Sequence, residues 1–293
     1  MGLLIVFFHN ERVPHWPTIL AAHAVALPLV HGLLAAHARR PTNWLLALLR
    51  HFYPIILYTG LYCETGLLNQ MFTRGYLDEF FMRLDEHLFG MQPSVVLMER
   101  LPYLVVSELL YAFYASYYVM IPGVGLALYF QSRHRFFHYI TLVSFIFYVC
   151  YLIFIFLPVA GPPAFWMERN EFLAAHGLPL LRLEFPASVQ RGLMFRVMGF
   201  IYHHFEAQGG AFPSSHVAVA ICTLWFTWRF LPRIRYFHLV TVILLSVATV
   251  YCRYHYAVDV IGGAGAAALL IPIGERLYRR FSAGDAGAWP QAH

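Results

Sequence analysis

Seven long apolar stretches run through this chain, and they leave it few ways to fold in water. They lie near Pro17–Ala38, Leu45–Met71, Leu104–Phe130, Phe137–Pro158, Ser214–Leu231, Phe237–Cys252 and Tyr256–Gly274. A helix needs about 20 apolar residues to cross the hydrocarbon core of a bilayer. Within that core only helices and closed barrels satisfy their own backbone. The fifth and sixth stretches are short and need their flanks to complete a span. Composition agrees, with 60% hydrophobic and 12% charged residues against about 25% charged in a soluble domain. The expected fold is all-α and membrane-integral: a bundle of six core transmembrane helices plus one extra N-terminal helix, with interfacial amphipathic helices. A single transmembrane domain is expected over residues 1–282, its core at about 45–276, with a disordered C-terminal tail over 283–293.

All basic side chains other than histidine are arginine; the chain has no lysine, and its formal net charge is +5. The arginines sit at the ends of the apolar spans and form no large patch, which argues against a nucleic-acid partner. They read instead as orientation signals. Arg39 and Arg40, Arg133 and Arg135, the group Arg229, Arg233 and Arg235, and the group Arg276, Arg279 and Arg280 all fall on one side of a seven-span chain. That side is expected to be cytoplasmic, with the N-terminus outside and the C-terminus inside. The other side receives Arg74–Arg100 and the long segment Val159–Pro213. Leu77–Leu101 mixes charges with bulky apolar residues, as an interfacial amphipathic helix does, and Ser188–His204 is similar. Either segment lines a lateral lipid path or plugs the outer face. Cys63, Cys150, Cys222 and Cys252 lie inside apolar stretches without CxxC spacing and read as packing residues. Gly2–Phe8 is too short, and lacks the preceding basic residue, to read as a cleavable signal.

Two polar segments stand at the outer ends of these spans. In Gly209–His216, glycines give backbone freedom, Pro213 presets the entry to a helix, and Ser214 is a favoured N-cap. Free N–H groups at such a helix start attract anions, and Ser214 and Ser215 add hydroxyls. The alternative is an ordinary capped helix with His216 satisfied at the interface. In Arg253–Asp259, His255 and Asp259 stand four residues apart and share a helix face. Asp259 can hold one ring nitrogen of His255 and leave the other as a nucleophile, while Arg253 can clamp phosphate oxygens. The alternative is a structural His–Asp pair. The intervening chain is one helical hairpin, so His216 and His255 can meet. Glu64 and Glu108, inside spans, either pair with an arginine at the site or make purely structural hydrogen bonds, the latter being the reading favoured. Tyr111, Tyr114, Tyr117 and Tyr118 read as packing and interface residues. His203 and His204 lack the surrounding ligands that a metal site needs, so no metal or other cofactor is expected.

Pro213-Ser214-Ser215-His216 and the His255-x-x-x-Asp259 pattern resemble the second and third motifs of the type 2 phosphatidic acid phosphatase superfamily, over the last six spans. That resemblance implies a bilayer-embedded enzyme acting on a lipid phosphate. It implies His255 as nucleophile, Asp259 as the residue that orients it, and His216 as general acid and base. Ser214 and the Ser215 amide would hold phosphate oxygens. The usual first motif, with a lysine and an Arg-Pro, is missing. The arginine usually found six residues before the histidine is replaced by Thr249. Arg253 is the leading substitute; Arg169, Arg191 and Arg196 are candidates to replace a second arginine, the one that often follows the Gly-Pro in a related branch, where this chain has Pro163. Asp85-x-x-Leu88-Phe89-Gly90-x-x-Pro93, Glu108-Leu109-Leu110-Tyr111-x-x-Tyr114 and Pro158-Val159-Ala160-Gly161-Pro162 look like the branch containing inositol phosphorylceramide synthases.

The expected function is a metal-independent membrane lipid phosphatase, acting on a lipid phosphate or pyrophosphate at the exoplasmic face through a phosphohistidine. Its expected home is a bacterial inner membrane, with the site facing the periplasm or exterior. One alternative is transfer of a phospho-headgroup between lipids. Another, of a different class, is a non-catalytic lipid transporter or channel, in which Glu64, Glu108 and Arg50 would mark a pathway.

Overall fold

A computed structural model of the chain describes residues 1–163, 170, 184–205 and 207–284. Arg169 and residues 285–293 of the expected tail lie outside the described residues. Twelve helices occur among those described. They are α1 Gly2–Phe8, α2 Trp16–Arg39, α3 Trp44–Leu68, α4 Asp78–Phe89, α5 Pro93–Arg100, α6 Leu104–Gln131, α7 Arg133–Phe156, α8 Ala187–Gln190, α9 Leu193–Phe205, α10 Ser215–Phe230, α11 Arg235–Tyr251 and α12 Ala257–Gly284. Five of them (α2, α3, α6, α7 and α12) are long and apolar enough to cross a membrane. The chain is thus an all-α integral membrane protein. The two stretches read as short become α10 and α11, of 16 and 17 residues, or about 24–26 Å at 1.5 Å per residue.

The centre of the bundle is α10, which packs against α6, α7, α11 and α12. Its small residues Ala218, Ala220 and Cys222 are buried together with Val217, Val219 and Phe226, so burial extends over more than one face. They meet Tyr139, Ile146, Cys150 and Phe154 of α7 in the main apolar core. A helix enclosed by protein can end within the membrane depth without exposing unpaired backbone to lipid. By contrast, α2 rests on α1 and α3 and buries Ile19. A His23–Glu64 contact of 3.0 Å ties it to α3. At the far end of the bundle Glu275 of α12 accepts hydrogen bonds from Trp225 and Arg229 of α10, at 3.4 and 3.3 Å. Three cysteines are buried as expected, whereas Cys63 is exposed.

Both amphipathic segments break in two. Leu77–Leu101 becomes α4 and α5 because Gly90 takes a left-handed conformation (φ 67°) and donates to the Glu86 carbonyl at 2.8 Å. Pro93 then opens α5 at a position where a missing N–H costs nothing. Ser188–His204 becomes α8 and α9. The break is set by Glu108 of α6, whose oxygens accept from the Met194 N–H at 2.9 and 3.1 Å and occupy the space a side chain at Gly192 would need. Neither Glu64 nor Glu108 therefore meets an arginine in these contacts: one takes a histidine, the other a helix N-terminus.

Candidate active site

The site lies where the start of α10 meets the turn between α11 and α12. The chain reaches α10 through a short parallel bridge between Val159 and Gly210. There the Val159 N–H donates to the Gly209 carbonyl at 3.2 Å and the Ala211 N–H to the Val159 carbonyl at 2.9 Å. Gly209 has φ 96° and faces Asn69 where a Cβ would stand. Ser214 caps α10, its Oγ accepting from the Val217 N–H at 3.4 Å, as serine at an N-cap does. Its own N–H donates to the Asp259 carbonyl at 3.0 Å, which joins the two segments. Close approach of α12 depends on Gly263, where a Cβ would lie 2.5 Å from the Ser214 carbonyl oxygen.

The second segment begins as α11 unwinds. Arg253 takes φ 65°, a left-handed conformation uncommon outside glycine. The N–H groups of Tyr254 and His255 both donate to the Thr249 carbonyl, at 3.1 and 3.0 Å. Thr249 thus contributes its backbone to the turn, while its hydroxyl donates to the Ser246 carbonyl at 2.7 Å.

This turn brings His216, His255, Asp259 and Ser214 together. His255 Nδ1 lies 3.3 Å from Asp259 Oδ2, and the same oxygen accepts from the Tyr256 N–H at 2.9 Å. His255 Nε2 lies 3.3 Å from Ser214 Oγ and 3.4 Å from His216 Nδ1. His216 Nε2 is 3.1 Å from the Tyr114 hydroxyl, and its ring centroid is 4.4 Å from that of Tyr117. Ser214 and Asp259 are fully buried and His255 is 3% exposed. An ionised carboxylate only accepts, so it holds the His255 proton on Nδ1 and leaves the lone pair on Nε2. That nitrogen faces a hydroxyl and a second imidazole, an arrangement suited to nucleophilic attack with proton transfer beside it.

Ser215 is the first residue of α10 and lines, with His216, a cavity of about 180 Å³. Tyr58, Tyr62, Tyr117, Phe147 and Tyr151 form much of its wall. The Arg253 guanidinium carbon lies 5.1 Å from the Phe185 ring centroid, and burial pulls its pKa down. Arg191 and Arg196 are exposed. Among the described residues no three His, Cys, Asp or Glu side chains converge as metal ligands would.

Sequence reasoning missed three residues. Tyr114 was grouped with packing aromatics, and its i, i+3 spacing from Tyr111 and Tyr117 gives only a helix face. Asp78 falls among the mixed charges of Leu77–Leu101, and Asp85 enters only as a letter of a resemblance motif with no role attached, although their spacing of seven puts them on one face of α4. Both are fully buried. Asp78 accepts from the N–H groups of Ala160 and Gly161, each at 2.8 Å, and from the Tyr256 hydroxyl at 3.0 Å. Burial pushes its pKa up to about 6. Asp85 accepts from the N–H groups of Ala257 and Val258, each at 2.9 Å, and burial raises its pKa too.

The sequence profile of the PAP2 superfamily matches residues 79–273, from α4 into the second half of α12. Nothing matches among curated proteins or among solved structures.

Proposed function

The chain belongs to the PAP2 superfamily, a membership that supports a phosphatase- or phosphotransferase-type function on lipids, and we propose that it hydrolyses a lipid phosphate or pyrophosphate through a phosphohistidine on His255. The observation that carries this reading is His255, with Asp259 behind Nδ1 and Ser214 and His216 at Nε2, 3.3 and 3.4 Å away. The Nε2 lone pair forms an N–P bond while the bond from phosphorus to the lipid oxygen breaks. His216 gives that oxygen a proton. Water then attacks phosphorus, His216 takes a proton from it, and the N–P bond breaks. Asp259 stays ionised and opposes the positive charge that the phosphorylated ring carries. Ser214, the Ser215 amide and Arg253 hold the phosphate oxygens. The apolar cavity beside His216 suits the hydrocarbon part of the leaving alcohol.

A second reading is transfer of the phospho-headgroup to a lipid alcohol. It is favoured by the Asp85–Pro93, Glu108–Tyr114 and Pro158–Pro162 patterns and by a cavity that reaches the proton-transferring histidine. In both readings the arginine distribution supports a site on the non-cytoplasmic face, the periplasmic face for a bacterial inner membrane.

Purified protein in detergent micelles is given a phosphatidate or a polyprenyl diphosphate, and inorganic phosphate is measured with and without a diacylglycerol or ceramide acceptor. Phosphate release is expected, with loss of more than about 10³-fold in His255→Gln and about 10²–10⁴-fold in His216→Ala. Turnover that survives His255→Gln refutes the phosphohistidine route. A labelled headgroup appearing only on the acceptor replaces hydrolysis by transfer. A protein that moves lipid across vesicles but turns none over is a transporter.

A further inference from the structure

The two buried carboxylates of α4 have no part in the chemistry above, yet each is fastened to a catalytic segment. Asp85 spans the first two N–H groups of α12 with both oxygens, at 2.9 Å each. These are donors that a helix start leaves without intrahelical partners. They belong to Ala257 and Val258, the residues immediately before Asp259. The Tyr256 N–H, next in line, is taken by Asp259 itself at 2.9 Å, through the oxygen that faces His255. Asp85 thus holds the first turn from which Asp259 meets both the Tyr256 N–H and His255 Nδ1. Asp78 works on the other side of the same turn. It accepts from the Tyr256 hydroxyl and from the loop at Ala160 and Gly161. The adjoining Val159 pairs with Gly209 and Ala211, on the way to Ser214 and His216. Phe81 is buried on the same side of α4 as the two acids, in an apolar cluster with Val159, Ala211, Tyr256 and Val258. The inward face therefore combines carboxylates that grip backbone with a ring that packs against the same two segments.

We propose that Asp85 is a positioning residue which, by capping the first turn of α12, holds Asp259 against Nδ1 of His255. The inference rests on the phosphohistidine reading. A residue that acts only through Asp259 has nothing left to position once the Asp259 charge is gone, and residues that work as a unit are non-additive.

The test is a double-mutant cycle on the full chain in detergent micelles, with phosphate release from a phosphatidate as the readout. Asparagine at 85 keeps one acceptor but turns an N–H donor toward the second backbone N–H. Asp85→Asn is expected to lower kcat by about 10–100-fold with KM within about threefold of wild type. In an Asp259→Asn background the same change is expected to lower kcat by less than about threefold. Asp85→Glu, which keeps the charge and both oxygens, is expected to recover part of the loss and serves in the cycle if Asp85→Asn does not purify as a folded monodisperse protein. Wild-type kcat in Asp85→Asn overturns the proposal, as does an equal fold-loss in both backgrounds or a loss confined to KM. A wild-type protein that turns over no lipid phosphate overturns the phosphohistidine reading, and the inference with it.

Discussion

Asp259→Asn separates the charge of this carboxylate from its shape. The Asp259 oxygen that faces His255 also accepts from the Tyr256 N–H, at 2.9 Å, and an asparagine carbonyl can take the same place. Its amide would occupy the position of Oδ1, which has no hydrogen-bond partner among the described residues. The turn therefore survives and the protein folds. On the phosphohistidine reading, what is lost is the interaction between a negative charge and the positive ring formed when His255 bonds to phosphorus. At the 3.3 Å separation of Nδ1 and Oδ2, with an effective dielectric constant of about 20, that interaction is about 5 kcal/mol. Each 1.36 kcal/mol is tenfold in rate, so kcat is expected to fall by about 10³–10⁴-fold while KM changes little. The assay is phosphate release from a phosphatidate in micelles, with thermal unfolding of the same preparation as the control for folding. A folded Asp259→Asn protein that keeps more than a tenth of wild-type kcat would show that His255 carries no developing charge, and the nucleophilic assignment would be wrong.

Tyr114→Phe removes the hydroxyl 3.1 Å from His216 Nε2, a bond of about 0.5–1.5 kcal/mol. A 2- to 13-fold drop in kcat is expected, and an unchanged kcat would remove Tyr114 from the proton path. Gly263→Ala places a Cβ 2.5 Å from the Ser214 carbonyl oxygen. The helices must part, so a stability loss of about 1–3 kcal/mol is expected by denaturant titration; a neutral result would mean that α10 and α12 are not in close contact at the site. Asp78 supplies a pH signature. Its folded pKa, about 6, is raised above the ordinary 3.8 by burial, so its contribution to stability is full below about pH 4 and is lost as pH rises through 6. The swing is at most about 3 kcal/mol. Tm is expected to decline over that window in wild type, with a shallower slope in Asp78→Asn, and equal slopes would refute the assignment.

Much of this was legible in the sequence because hydropathy and charge speak directly to a bilayer. The two weak apolar stretches became the two short helices, and Pro213–His216 and His255–Asp259 came to lie side by side. What escaped was whatever depends on backbone donors. A carboxylate that caps a helix from another part of the chain looks in the sequence like any surface acid, so Asp78 reads as one interfacial charge among several, Asp85 as one letter of a motif, and Glu108 as a group open to an arginine or to a structural hydrogen bond. Their true partners are the N–H groups of Ala160, Gly161, Ala257, Val258 and Met194, which no side-chain pattern announces. Tyr114 escaped for a related reason: in a tyrosine-rich helix, spacing identifies a face but not which hydroxyl on it finds an imidazole.

The grip of α4 also sets an order of assembly. Asp85 emerges 172 residues before Ala257, and Asp78 emerges 178 before Tyr256. At about 5–20 residues per second, either interval is roughly 9–36 s of synthesis. The nascent chain passes through a stage in which both histidines exist and the last helix does not. At that stage Asp85 has nothing to cap and Asp259 has not been made. On the proposed reading, a chain made only as far as residue 256 carries His255 without the carboxylate behind it, and the site is complete only once α12 has been added.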